Sequence, residues 1–210
     1  MKFVITAGPT REFIDPVRFL SNPSTGKMGF ALARAAARRG HAVTLIAGPV
    51  ALKTPRGVTR VDGVSARDML AAVEAALGSG TKDTVFISTA AVADWRPADC
   101  ATSKLKKRQM TGVLKLVRNP DILRTVSGVR KVGFAAETDD VLAEAARKCR
   151  EKQLEMIVAN DVGEKGCGFG TDTNRVAFVR PDGSVERLPL MSKLAVAERI
   201  VRAIEKGPCA

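Results

Sequence analysis

The chain has no tyrosine, and its aromatic residues are eight phenylalanines and one tryptophan, Trp95. Proteins that grip single-stranded nucleic acid by stacking need exposed rings, and there is little material here for such a platform. There is one histidine, His41, which follows "RRG" between a helical pattern and a strand pattern. It reads as a surface loop residue rather than a catalyst. The four cysteines, Cys100, Cys149, Cys167 and Cys209, form no C-x-x-C pair, and with a lone histidine they offer no zinc ligand set. They read as reduced, structural or incidental thiols, so chemistry here is expected to run without histidine or thiol. No apolar run approaches the roughly 20 residues of a membrane helix. "MKFVITAG" enters a strand pattern at once, so no signal peptide is expected and the expected location is cytoplasmic.

Acidic residues are also in short supply: 22 Asp and Glu stand against 34 Lys and Arg, a formal net charge of +12. Clustered cations can mark a nucleic-acid footprint. They can equally line a cleft that concentrates small, highly anionic substrates. The scarcity of aromatic residues favours the second reading.

Strong patterns alternate along the chain. "KFVITAG" is a buried strand ending at Gly8; after a long loop, "MGFALARAAARRG" is helical and closed by Gly40; "HAVTLIAGP" is a second buried strand. This opening predicts a parallel sheet of Rossmann-like order. "TRVDGV" follows as a third strand, then a helix over 65–77 with Ser65 as N-cap. "TVFISTAAVADW" is a central strand, and the polar, basic "RPADCATSKLKKRQM" after it has no period and reads as a loop. "VLKLVRNPDILRTV" gives a short strand, a turn at Asn119-Pro120 and a helix. "RKVGFAAET", "DDVLAEAARKCREKQL" and "EMIVAND" then read as strand, helix and strand. "NRVAFVRPDGSVERLPLM" predicts a β-hairpin with a Pro-Asp-Gly-Ser turn, and "SKLAVAERIVRAIEK" a closing helix capped by Ser192. With no repeat and no linker, the expectation is one α/β domain over 1–210: a mostly parallel sheet flanked by helices, with an antiparallel hairpin near the C-terminus.

"SNPSTGKMGF" (21–30) has the look of a phosphate loop but fits neither familiar template. Gly26-Lys27 is followed by Met28 where a Walker A loop needs Ser or Thr, and Ser21 stands where its first glycine belongs. The G-x-G-x-x-G fingerprint is missing after Gly8, and the absent tyrosine removes the Tyr-Lys pair of short-chain dehydrogenases. What remains is the shared physics: Ser24 and Thr25 precede a helix whose free N–H groups and dipole favour an anion. An ordinary helix cap is the alternative. Lys104, Lys106 and Lys107 lie in the unpatterned segment, either as a solvated face or as a lid that neutralises a triphosphate. Asp94 and Trp95, "GFAAETDD" and "IVANDV" all follow strand ends, where open α/β sheets bind ligands.

Taken in order, "ITAGPTREFIDPVRFLSNPSTGKMGFALA", "AAVADWRP", "KLKK", "VRNPDIL", "GFAAET" and "IVANDV" resemble the phosphopantothenoylcysteine synthetases over almost the whole chain. The resemblance implies a ligase that joins 4′-phosphopantothenate to L-cysteine through an acyl-nucleotide, releasing pyrophosphate, with CTP (or ATP) as co-substrate together with Mg²⁺. It implies that Asn22 holds the acyl-nucleotide and that Lys104 rides on a flexible flap, around 97–112, that closes on the phosphates. Ser24, Gly26 and Lys27 would bind phosphate. Asp94 would contact the nucleotide beside Ala90 and Ala91; Asn119, Pro120, Asp121 and Ile122 with Phe134 would form the base and ribose pocket; Lys148 and Lys152, one turn apart, would add nucleotide contacts. Pro23 and Thr25 stand where other members often carry different small or polar residues. Asn160 and Asp161 are suspected to serve the partner site. A homodimer is implied, with the C-terminal hairpin as an interface element. Because the first strand starts at Lys2, a free-standing synthetase without a flavin site of its own is expected. Neither nucleic acid nor membrane is expected as a partner. An NAD(P)-dependent oxidoreductase and a basic nucleic-acid-binding protein are the competing readings.

Overall fold

The computed structural model describes residues 1–79, 81, 83–109, 112–137, 141–161 and 166–207. Six parallel strands form its centre: β1 (Lys2–Ala7), β4 (Ala42–Ala47), β5 (Val58–Asp62), β6 (Thr84–Ser88), β9 (Arg130–Glu137) and β10 (Met156–Asp161). Two antiparallel strands, β12 (Val176–Val179) and β13 (Val185–Arg187), extend the sheet beyond β10, giving the order β13-β12-β10-β9-β6-β1-β4-β5. Counted among the parallel strands alone, this is the order 3-2-1-4-5-6 of dinucleotide-binding sheets, with its switch point between β1 and β6. The expected Rossmann-like sheet and C-terminal hairpin are both present.

Both faces of the sheet are covered at its centre, so β1, β4 and β6 are buried nearly throughout rather than alternating, whereas the edge strand β5 is polar and largely exposed. Phe3, Ile5, Leu45, Val85 and Ile87 face one core with α1 (Lys27–Arg38) and α5 (Lys193–Lys206). Val4, Ile46 and Phe86 face the other, with α2 (Ala66–Leu77), α3 (Ile122–Thr125) and α4 (Val141–Glu151). Alanines 33, 35 and 36 of α1 are buried, and their small side chains let this helix lie close to β1 and β4. Ser65 caps α2 in a reciprocal capping box with Asp68, and Ser192 caps α5 through the Ala195 N–H.

Three small ribbons depart from the sequence reading. The stretch expected to be a loop after Gly8 contains a hairpin, β2 (Arg11–Phe13) and β3 (Phe19–Ser21). Arg96 and Pro97, expected at the start of a loop, belong to β7 (Trp95–Pro97), paired with β8 (Leu116–Arg118). Two-residue β11 (Thr173–Asn174) and β14 (Met191–Ser192) form a third. Strands of two or three residues are too short to show a period, which is why the pattern misses all of these but β8, the short strand expected in "VLKLVRNPDILRTV".

His41 lies in the loop before β4 as expected, but it is half-buried rather than on the surface: its ring lies 5.0 Å from that of Phe3, and Nε2 is 2.7 Å from Glu205 Oε1. Among the described residues no helix is long and apolar enough to cross a membrane.

Candidate functional site

Two cavities open side by side at the C-terminal ends of β1, β6 and β9 and share Ala90, Ala91, Phe134 and Ala135 as a common wall. This is the switch-point crevice, where diverging connections leave room for a ligand. The first cavity, of about 180 Å³, is bounded by the start of α1, including Ser24, Gly26 and Lys27, and by Asn160, Phe169, Asn174 and Lys193. The second, of about 330 Å³, holds Asp94, residues 119–123, Lys148 and Lys152.

The wall is built by backbone. Past β6 the chain stays beside β1: Thr89 Oγ1 donates to the Thr6 carbonyl at 2.5 Å, Ala90 N–H to Thr6 Oγ1 at 3.3 Å, and Ala91 N–H to the Gly8 carbonyl at 2.9 Å. Asn22 Nδ2 donates to the Ala91 carbonyl at 3.1 Å, tying the end of the β2–β3 hairpin to the same seam. Asn22 thus stands beside the crevice with its amide oxygen still able to accept.

At the start of α1, Gly26 takes the left-handed conformation, φ 77°, and no side chain caps the helix. The first turn holds no acidic residue, so the positive end of the dipole is not neutralised locally. Gly29 explains how the helix comes so near: a Cβ there would lie 2.4 Å from Ala7 Cβ and 2.6 Å from Thr89 Oγ1. The dinucleotide fingerprint achieves close helix–strand packing with its third glycine, and Gly29 does the same here after a hairpin rather than a tight turn.

Lys27 lines the first cavity, but its ammonium is engaged, donating to the Gly170 carbonyl at 2.9 Å and to Asp172 Oδ1 at 2.7 Å. Thr25 Oγ1 donates to the Phe169 carbonyl at 2.7 Å. The segment 168–172 is therefore strapped to the start of α1. Beneath it lies buried Lys193, whose ammonium donates to the carbonyls of Gly168, Phe169 and Thr171 at 2.8, 3.3 and 2.6 Å. Burial pulls its pKa below the usual lysine value, and the Lys27 charge adds to this. Asn160 and Asn174 are 8% and 3% exposed, and the Oδ1 of each has no hydrogen-bond partner among the described residues. Leaving buried carbonyl oxygens unpaired is costly, so both are set to accept from a ligand or a water.

In the second cavity much of the polar inventory has structural work. Asn119 Nδ2 donates to the Ala93 carbonyl at 2.8 Å, its N–H to the Asp94 carbonyl at 2.8 Å, and its Oδ1 accepts from Arg96 at 3.1 Å. Asp121 caps α3 and lies 2.8 Å from Lys152 Nζ. Lys131, buried under this turn, donates to the Leu123 carbonyl at 3.2 Å; burial lowers its pKa, and Asp121 offsets part of that. Lys148 lies 3.6 Å from Glu144. Lys152 lies one residue past the end of α4, but its N–H still donates to the Lys148 carbonyl at 3.1 Å, so the two lysines keep the one-turn spacing expected of them. Asp94 is exposed, and its carboxylate makes no hydrogen bond among the described residues.

Residues 1–207 match the family model described as the DNA/pantothenate metabolism flavoprotein C-terminal domain. The chain belongs to this family. Among curated relatives, the coenzyme A biosynthesis bifunctional protein CoaBC of Vibrio vulnificus is 47% identical over 96% of this chain and 51% of its own length. The protein of the same name from Bacillus subtilis is 48% identical over 96% of this chain and 50% of its own. The chain thus spans about half the length of these relatives. A crystal structure of the C-terminal domain of CoaBC superposes with a TM-score of 0.81 at 43% identity, covering 98% of this chain and 94% of that one. The family expected from the ordered motifs is the family found.

Of the expected site residues, Ser24, Gly26, Lys27, Ala90, Ala91 and Phe134 meet in the first cavity. Asp94, Asn119, Pro120, Asp121, Ile122, Lys148 and Lys152 join Ala90, Ala91 and Phe134 in the second. Lys104 is exposed and lines neither. Asp161 ends β10, and its suspected partner-site role concerns a side chain outside the description. Sequence reasoning passed over Gly29, Phe169, Asn174 and Lys193. The glycine-punctuated "GFGTDTN" was the available signal, whereas nothing in "MSKLAVA" marks Lys193 as buried.

Proposed function

We propose that this chain is the ligase that joins 4′-phosphopantothenate to L-cysteine in coenzyme A biosynthesis, using CTP in preference to ATP. The observation that carries this reading is the paired crevice: an uncapped helix start beside Ser24 and Lys27 opens across one backbone wall from a cavity holding Lys148, Lys152 and Asp94. The membership and the CoaBC likeness support the pathway.

In this reading the triphosphate lies at the start of α1, where N–H groups and the dipole offset its charge. Base and ribose occupy the second cavity against Phe134 and the 119–122 turn, with Lys148 and Lys152 alongside. A carboxylate oxygen of phosphopantothenate bonds to the α-phosphorus while the bond to the β-phosphate breaks and pyrophosphate leaves. The cysteine amine then bonds to the acyl carbon, loses a proton, and the nucleoside monophosphate departs. Both steps need alignment and charge neutralisation more than a strong base, which suits a site without histidine or thiol. Asn22 holds the acyl-nucleotide, its amide donating to Ala91 and accepting from the ligand. Lys104 swings in to meet the phosphates. Among the described residues no three His, Cys, Asp or Glu converge, and Mg²⁺ would be held largely by the triphosphate, offsetting its charge. Such ions are commonly held by one or two carboxylates plus substrate phosphates, and the open carboxylate of Asp94 fits that share. The protein acts as a homodimer.

The test mixes purified chain, Mg²⁺, 4′-phosphopantothenate and either CTP or ATP, with and without L-cysteine, and follows products by mass spectrometry. Pyrophosphate, a nucleoside monophosphate and the cysteine adduct are expected, with an acyl-nucleotide when cysteine is withheld. No product from folded protein with either nucleotide would sink the reading.

A further inference from the structure

The bight that carries Lys104 is held at both ends by the turn of the β2–β3 hairpin. At one end Ala101 N–H donates to the Ile14 carbonyl at 2.9 Å. At the other, Leu105 is gripped twice: its N–H donates to Asp15 Oδ2 at 3.2 Å, and its carbonyl accepts from Arg18 at 2.9 Å. Asp15 is fully buried. Its Oδ1 accepts from the Val17 and Arg18 N–H groups, both at 2.9 Å, and its Oδ2 from Arg18 Nε at 3.0 Å and from Arg18 Nη2. A buried carboxylate saturated by a guanidinium and three backbone N–H groups is a rigid post.

The same hairpin continues through β3 to Ser21, whose hydroxyl donates to the Thr10 carbonyl at 2.7 Å, and then to Asn22 on the Ala91 wall. One short element therefore connects the crevice to both ends of an exposed lysine-bearing segment that shows no strand or helix from Ala98 to Lys106. Such a segment has no ladder or helical bonds of its own to define where Lys104 goes. Its anchors supply that definition.

We propose that Asp15, with Arg18 as its counter-ion, is a positioning residue for Lys104. By pinning Leu105 it shortens the unanchored bight and fixes the arc over which the Lys104 ammonium can meet an anionic ligand at the crevice. The role given to Lys104 rests on the ligase reading; the anchoring of Leu105 does not.

Two measurements test this and fail separately. Residue-resolved amide exchange by NMR on the unmodified chain reads the anchor directly. The Leu105 and Ala101 amides are expected to exchange about tenfold or more slowly than those of Thr102 and Ser103. Equal rates would overturn the anchor, whatever the enzyme's activity. The second is a double-mutant cycle on product formation with Asp15→Asn and Lys104→Ala. Asp15→Asn is expected to lower kcat about tenfold when Lys104 is present and to change nothing when it is absent. The same loss in both backgrounds would mean that Asp15 acts on the fold and not through Lys104. Absence of product from the unmodified chain would count against the ligase reading, and the exchange rates would still decide the anchor.

Discussion

Lys27 Nζ lies 2.7 Å from Asp172 Oδ1, joining the first residue of α1 to a segment 145 positions away. The lysine that the resemblance assigns to phosphate is thus engaged with a carboxylate, and the Asp172 pKa is held down chiefly by that hydrogen bond. Asp172 is largely exposed, so the pair adds little to stability. Asp172→Asn should leave the melting temperature unchanged while removing the counter-charge of Lys27, which keeps its bond to the Gly170 carbonyl, and so raise affinity for CTP a few-fold by calorimetric titration. Unchanged or weaker binding would remove Lys27 from phosphate recognition.

Lys193 has a different task. Replacing it with methionine keeps the length of the side chain but deserts the carbonyls of Gly168, Phe169 and Thr171. The Gly168 and Phe169 carbonyls keep Thr171 Oγ1 and Thr25 Oγ1 as donors, but the Thr171 carbonyl loses its partner, which should cost about 1–3 kcal/mol in urea unfolding. Wild-type stability in this variant would show that water replaces the ammonium.

Gly29→Ala tests the approach of α1 to the sheet. The added methyl group meets Ala7 and Thr89 at distances that force the helix outward. The expected loss is about 1–3 kcal/mol by denaturant midpoint, with weakened nucleotide binding because the helix start retreats from the crevice. A neutral result would mean that the helix shifts without penalty.

Asn174 separates binding from folding. Its Oδ1 has no protein partner among the described residues, so Asn174→Ala removes a buried unpaired acceptor rather than an interaction. Stability should hold or rise, while ligand affinity falls. Loss of stability with affinity intact would make Asn174 a purely structural residue.

At the far end of α5, Arg39 first, and His41 with it, lower the Glu205 pKa below its ordinary 4.5. A carboxylate with a depressed folded pKa contributes stability in full above the unfolded value and loses it as pH falls through the folded one. Thermal melts should therefore show an acid limb starting near pH 4.5. Glu205→Gln should flatten that limb and lower stability above it. An identical pH profile in the variant would assign the acid loss to other carboxylates.

Much of the architecture was legible because long, covered strands and alanine-rich helices carry their own periods. β1, β4, β6, β9 and β10, and helices α1, α2, α4 and α5, could be placed from apolar pattern, caps and glycine stops. The β2–β3 ribbon and β7 could not, since three-residue strands carry no period and are defined only by their pairing. In the site, Ser24, Gly26 and Lys27 were visible as a polar run before a helix. Asn119 and Asp121 were visible too, but not that their side chains are committed to holding the 93–96 and 122–125 segments.

The amino-acid order by itself determined the alternation of elements, the parallel sheet and the family, because hydrophobic period and ordered local motifs are properties of neighbouring residues. Which polar groups are engaged and which are left open was decided only by folding. Whether Lys27 meets Asp172, whether Lys193 is buried beneath a carbonyl-rich loop, and whether Asn160 and Asn174 lack partners all depend on segments more than a hundred positions apart or on burial itself. Burial and long-range pairing are set by packing, and no local stretch of sequence encodes them.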